Sequence, residues 1–231
     1  MMKKVNTKIR LASISDVEAL TDLHCESFKP EDHVPLLLGR NYVKATYKWL
    51  VVSPKSYVLV AVLEDEIIGF TAVCDGAYVK AMFVACLPEF ILSILSHPKR
   101  ILNKLLWHRL FRKPVIEKKS DTQVNKRSFA QLTIVAVAKE FRGTGVFGEL
   151  SQAVKEYSKH RGSKAICVGV YKKNQSSLRA FTKSDWVEMP DMETPDTVLL
   201  VANLDLIISR KFGVTNEKTN PYICYFRNNE K

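Results

Sequence analysis

The chain has 231 residues, 46 % hydrophobic and 26 % charged, and a formal net charge of +11; these are the proportions of a globular protein with one substantial core. Its five cysteines (Cys25, Cys74, Cys86, Cys167, Cys224) are scattered, odd in number and include no Cys-x-x-Cys pair, which argues against a disulfide framework or a metal site and for reduced thiols in a cytoplasmic protein. No hydrophobic stretch follows Met1-Met-Lys-Lys-Val-Asn, and the apolar run Phe90–Leu95 is far too short to span a bilayer, so neither a signal peptide nor a membrane span is expected.

The first predicted element is a strand at Lys8–Leu11. Ser15-Asp-Val-Glu18 has the capping-box pattern, and Val17, Leu20 and Leu23 give the following helix an apolar side up to about Phe28, before Pro30. A second helical stretch is predicted from about Glu31 to Val51, with Leu36, Leu37, Leu38, Tyr42, Val43, Tyr47 and Leu50 as its apolar set. Ser56–Val73 reads as two strands joined by the acidic turn Glu64-Asp-Glu66. Residues 76–128 read as a basic helical insertion within a single domain spanning 1–231. Pro88 suits the first turn of a helix over Glu89–Ser96, and His97-Pro98 interrupts it. A second helix carries Ile101, Leu102, Leu105, Leu106 and Leu110 on one side and Asn103, Lys104, Arg109 and Arg112 on the other. Pro114 stops that helix, and Glu117–Lys126 reads as a polar loop. Between His97 and Ala130 stand ten Lys and Arg against Glu117 and Asp121, a net +8 that accounts for most of the total. Gln131–Val137 reads as a strand and Glu149–His160 as a helix. Strands at Ala165–Tyr171 and about Thr197–Val201 bracket a helix starting at Asn174. In the tail, Ile223–Phe226 reads as a last strand or an interface segment.

The most informative stretch is Val135-Ala-Val-Ala-Lys-Glu-Phe-Arg-Gly-Thr-Gly-Val-Phe-Gly-Glu-Leu150. A strand ending in a basic glycine turn that opens a helix is a site for phosphate groups. The glycines let the backbone bend toward a ligand, the first N–H groups of the helix are free, and the helix dipole favours an anion. Arg142 adds a fixed positive charge. A Gly-x-Gly turn alone is a weak signal. No Gly-Lys-Ser/Thr follows, which excludes a P-loop. Gly143, Gly145 and Gly148 match a dinucleotide fingerprint, but the acidic residue that reading needs after the next strand is absent: lysines follow Tyr171.

Arg142-Gly-Thr-Gly145-Val-Phe147 resembles the Arg/Gln-x-x-Gly-x-Gly/Ala motif of the GNAT superfamily of acyl-CoA N-acyltransferases, with Phe147 where a small residue is usual. Downstream, Asn174, Lys183 and Trp186 fall in register with that family's second motif, Phe181 replacing its usual Tyr and Asp185 its usual Gly. Lys8–Asp16 and Ser56–Val73 are similar to the family's opening elements and central hairpin. The resemblance covers roughly residues 8–75 and 130–203. It implies an α/β fold of the GNAT type, a mixed twisted central sheet flanked by helices, here with a helical insertion.

It also implies an acetyl-CoA-dependent N-acetyltransferase acting on a primary amine of a small-molecule acceptor, such as an amino sugar or a nucleotide-linked amino sugar. The turn formed by Arg142, Gly143, Thr144, Gly145, Val146, Phe147 and Gly148 would hold the pyrophosphate of coenzyme A. The pantetheine arm would lie along Ile134–Val137, with the backbone of Ala136 and Val137 beside it and an N–H near Val137 polarising the acetyl carbonyl. Asn174, Ser177 and Phe181 would contact the cofactor arm. Lys183 would help near the phosphates or simply form a solvated helix face. Asn174 would also cap its helix. Phe181 cannot protonate a leaving thiolate, so Tyr171 or water is the candidate acid. His33, between the first two helices, is the candidate base, with Asp32 and Glu31 behind it; His24, His97, His108 and His160 read as helix-face or helix-end residues. The insertion reads in three ways: a lid meeting a substrate phosphate, a helix at 88–113 lying on an anionic membrane surface such as the inner membrane face, or a helical hairpin packed on the core or on a second subunit in a homodimer. The charge alone would also suit nucleic acid, but no reader motif supports it. The rival from a different class is a non-catalytic coenzyme A-binding or membrane-surface binding module on the same fold.

Overall fold

The computed structural model describes residues 7–30, 33–76, 78–102, 106, 129–190 and 193–204. Seven strands form one sheet in the order β1-β2-β3-β4-β5-β7-β6: β1 Lys8–Leu11, β2 Ser56–Leu63, β3 Glu66–Asp75, β4 Phe129–Val137, β5 Ala165–Tyr171, β6 Val187–Glu188 and β7 Thr197–Asn203. All neighbours are antiparallel except β4 and β5, which run parallel. The helices are α1 Val17–Ser27, α2 Val34–Leu38, α3 Arg40–Val52, α4 Val79–Ala85, α5 Leu87–Ser96, α6 Val146–His160 and α7 Gln175–Lys183.

Both faces of the sheet are covered, which is why β2 and β3 read as nearly continuous apolar runs. Tyr57, Leu59 and Ala61 of β2 pack under α6 with Val146, Leu150 and Val154, while Val58 and Val60 face α1 and α3 through Leu20, Leu23, Val43, Tyr47 and Leu50. Two lysines of α6, the buried Lys155 and the half-buried Lys159, tie the far half of the chain down: Lys155 donates to the Ser184 carbonyl at the end of α7, and Lys159 to the Leu204 carbonyl at 2.8 Å. A cation at a helix C-terminus meets carbonyls the helix leaves unsatisfied.

Several boundaries differ from the sequence reading. The start of α1 is organised by Asp16 rather than by Ser15 and Glu18. Arg10 forks onto the Asp16 carboxylate at 2.7 and 2.8 Å, the Ser13 N–H donates to it at 2.6 Å, and a short 3₁₀ turn at Ile14–Asp16 precedes the helix. Glu18 instead pairs with Arg40 and Lys44. The long helix expected from Glu31 to Val51 is broken at Gly39, whose φ of +96° ends α2. Helix α4 and the two-residue strand β6 carry no strong periodicity and were not foreseen. The helix predicted over Ile101–Lys113, the loop Glu117–Lys126 and the tail from Asp205 fall outside the described residues, apart from Ile101, Leu102 and Leu106.

Candidate active site

The sheet is split where its parallel pair lies. Strands β4 and β5 pair only through Phe129–Gln131 and Ala165–Cys167. Beyond that point β4 stays paired with β3 as far as Val137, and β5 with β7 as far as Tyr171. Leu132–Val137 therefore presents one unpaired backbone edge to a wedge-shaped gap, a row of donors and acceptors that an extended ligand can satisfy. A bulge helps to set the angle: Ala72 pairs with Ile134 and Val73 with Leu132, leaving Thr133 as the extra residue. The Thr133 hydroxyl donates to the Ala72 carbonyl at 3.0 Å. Bulges bend a strand and raise its twist.

The gap runs down to the glycine turn. After Val137, the Ala138 N–H returns to the Ile68 carbonyl at 2.8 Å, a 3₁₀ turn covers Lys139–Phe141, and α6 begins at Val146 behind Gly145. Gly145 has φ +102°, a left-handed backbone that a side chain would strain. The first-turn N–H groups of Val146, Phe147 and Gly148 have no acceptor within the helix. Gly148 has ordinary helical geometry, and a Cβ built on it meets nothing within 4 Å. Neither packing nor conformation requires a glycine there, and glycine costs a helix about 1 kcal/mol relative to alanine. The open space fits a ligand that approaches the main chain closely, as a diphosphate does. Arg142 is exposed, and its Nε donates to the Val137 carbonyl at 3.0 Å, which fixes the guanidinium at the end of β4. The Thr144 hydroxyl is turned inward, donating to the Phe141 carbonyl at 2.7 Å. The Phe147 ring packs edge-on against Phe181, 4.9 Å between centroids, so it lies in the core and away from the phosphate side.

Of the residues expected from α7 and its cap, Asn174 and Ser177 lie at the start of the helix, Phe181 is enclosed and Lys183 lies at the far end. Asn174 caps the helix: its Oδ1 accepts from the Ser177 N–H at 3.2 Å and from the Ser176 hydroxyl at 3.0 Å. Its amide NH₂ is the group left for a ligand. Phe181 is 1 % exposed, wedged between Phe147 and Trp186, so it offers no ring face to a cofactor. The aromatic cluster behind α6 needs its apolar volume, and the Trp186 indole is anchored there to the Ser151 hydroxyl at 2.9 Å. Lys183, at the other end of α7, lines a groove of about 570 Å³ with Lys172, Arg179 and Glu188, and no residue of the glycine turn lines it. Tyr171 is half-buried at the end of β5, with the Lys173 ammonium 5.7 Å from its ring centroid.

On the opposite face, α1 and α3 hold a ring cluster that sequence reasoning missed in part. His33 is half-buried, precedes α2 and stacks on Phe28, 4.0 Å between centroids. Behind it His24 is buried, its Nδ1 2.8 Å from the Tyr47 hydroxyl. Its Nε2 has no hydrogen-bond partner among the described residues. Burial first, and the nearby His33 second, hold His24 down to a pKa of about 3, so it is neutral. This cluster shares its packing with Ile134 and Ala136 of β4. His24 follows Val17 and Leu20 on the apolar stripe of α1, seven residues after Val17, and that spacing was the available signal.

Among the described residues a seven-stranded mixed sheet opens at its one parallel junction, with a glycine turn and a helix start at the foot of the opening, which defines an α/β protein of the GNAT fold. The chain belongs to the GNAT acetyltransferase family, whose model matches residues 17–186. No curated protein sequence matches it. Among solved structures it is similar to the GNAT domain of S. lividans PAT, with 13 % identity and a TM-score of 0.55 over 85 % of this chain and 90 % of that one. It is similar to smu.2055 from Streptococcus mutans UA159, with 14 % identity and a TM-score of 0.53 over 85 % and 99 %. It is also similar to yncA from Salmonella typhimurium, solved with its cofactor acetyl-CoA, with 15 % identity and a TM-score of 0.52 over 87 % and 95 %. At such identities the likeness is one of fold.

Proposed function

We propose that this chain transfers an acetyl group from acetyl-CoA to a primary amine of a small-molecule acceptor, with amino sugars and nucleotide-linked amino sugars as the first acceptors to test. The observation that carries this reading is the unpaired edge of β4 running into the Gly143–Gly148 turn. Bound there, the cofactor supplies an activated thioester. The amides of Gly145 to Gly148 and the Arg142 guanidinium hold the diphosphate. The open edge of β4 takes the extended arm as an added strand, and a backbone N–H near Val137 polarises the reacting carbonyl. The Asn174 amide steadies the arm from the β5 side. An amine with a pKa near 10 must lose a proton before it attacks. His33 is the base on the α1–α2 side, with the neutral His24 behind it. The leaving thiolate, whose pKa is about 8.5, takes its proton from water or Tyr171.

Thiol release from acetyl-CoA should follow addition of an acceptor, and Arg142→Glu should weaken cofactor binding about tenfold or more by replacing a charge-assisted contact with repulsion. The burial of Phe181 in place of a phenol favours one second reading, a coenzyme A-binding module without transfer. Calorimetric heat with coenzyme A but no thiol release over a broad amine panel would select it. No heat with either acetyl-CoA or coenzyme A would overturn both readings.

A further inference from the structure

Seven of the eleven exposed large hydrophobic side chains among the described residues lie between Val79 and Leu102. On α5 the inner residues Phe90, Ser93 and Ile94 face α2 and α3, where Leu38 and Tyr42 are buried. The outer face shows Ile91, Leu92 and Leu95 to solvent, Leu95 at 72 % exposure. Lys80 and Glu89 are the only charged residues in Val79–Ser96. A helix that is apolar all round is normally enclosed all round, and here the protein encloses one side.

The surface is firmly built. The Ser93 hydroxyl donates to the Leu38 carbonyl at 2.6 Å, and Arg100 Nη1 donates to the same carbonyl at 3.0 Å and to the Ser93 hydroxyl oxygen at 2.7 Å. Cys86, between α4 and α5, is fully buried. The exposed aliphatic face is thus held in place from behind.

Two features identify what covers it. The outer face is aliphatic, with no Tyr, Trp or Arg of the kind that anchors protein interfaces. The segment that continues it, from His97 to Ala130, carries ten Lys and Arg against two acidic residues. Aliphatic side chains followed in the sequence by a cationic stretch match the chemistry of a bilayer surface of anionic lipids, which offers an acyl boundary and phosphates. Neither helix is long enough to cross a membrane. The two together, bent by 59°, have the length and apolar composition of a broken span or a re-entrant loop.

We propose that α4 and α5 dock this chain on an anionic lipid surface through Val84, Leu87, Ile91, Leu92 and Leu95. This stands apart from the acetyl-transfer reading. The full chain should sediment with vesicles of phosphatidylcholine mixed with phosphatidylglycerol at about 0.15 M salt, much less with phosphatidylcholine alone, and less again at about 1 M salt. The double variant Ile91→Glu/Leu95→Glu, at two exposed positions, should keep its thermal midpoint and lose about tenfold or more in vesicle partitioning. The proposal is overturned if the wild-type chain stays in the supernatant, if the double variant binds as well as wild type, or if neutral vesicles bind equally. It is also overturned if sedimentation equilibrium shows a vesicle-indifferent dimer that the same double variant splits into monomers, which would assign the face to a second copy.

Discussion

His24 is a neutral ring in an apolar setting, and that makes the stability of the fold depend on pH. Its pKa is held near 3 in the folded chain, against about 6.5 when unfolded. Between those values the unfolded chain binds a proton that the folded chain refuses. Stability is therefore fully present above about pH 6.5 and falls as the pH drops, by up to about 1.4 kcal/mol per pH unit. Asp16, held down to about 2 mainly by its hydrogen bonds from Arg10, has the same sign in a lower window, from about 4 downward. His24 should therefore contribute a loss of stability in urea unfolding between pH 6.5 and 5, and His24→Phe should reduce it. At this scale the glycine turn between β4 and α6 was legible, because Gly143 and Gly145, both with positive φ, act through backbone and spacing. The parts that depend on depth were not. Phe181 is enclosed and the half-buried Phe147 packs against it, and only packing reveals that the two rings turn toward the core.

Strands β1, β2, β3 and β5 and the hairpin turn at Glu64-Asp65 could be read from the sequence, since alternation, apolar runs and turn residues are local signals. The break between α2 and α3 was missed because Gly39 stands inside a continuous apolar helical pattern, and the contact that braces it, Arg100 on the Leu38 carbonyl, comes from 62 residues further on. Nor could the sequence reveal the bulge at Thr133 or the short pairing of β4 with β5, which are set by the layers on either side. The clamp is testable. Arg100→Met should remove the charged donor shared by the Leu38 carbonyl, the Ser93 carbonyl and the Ser93 hydroxyl, leaving the first two with one donor each, and lower stability by about 1–3 kcal/mol, seen as an earlier urea midpoint with an unchanged slope. Helix α6 gives a second test, in which stability and binding move in opposite directions. Gly148→Ala should raise thermal stability by up to about 1 kcal/mol and weaken the heat of acetyl-CoA binding, because the new methyl group occupies the space left for the diphosphate. Unchanged affinity would show that the open space at Gly148 serves no ligand.

For the molecule as a whole, two sub-sheets meet at a seam of three residue pairs, Phe129–Gln131 against Ala165–Cys167, backed by α6 across β2 and β3. Saturating cofactor at about a hundred times its dissociation constant should add about 2.7 kcal/mol, and hydrogen exchange should slow at those amides of Leu132–Val137 that face the gap. So short a seam leaves few backbone rungs between the two halves of the sheet. If an arm in the gap supplies the rungs that β4 and β5 do not share, the cosubstrate is also mortar. A single molecule pulled across this seam with optical tweezers should then yield at a lower force after each washout of coenzyme A and recover its strength on reloading.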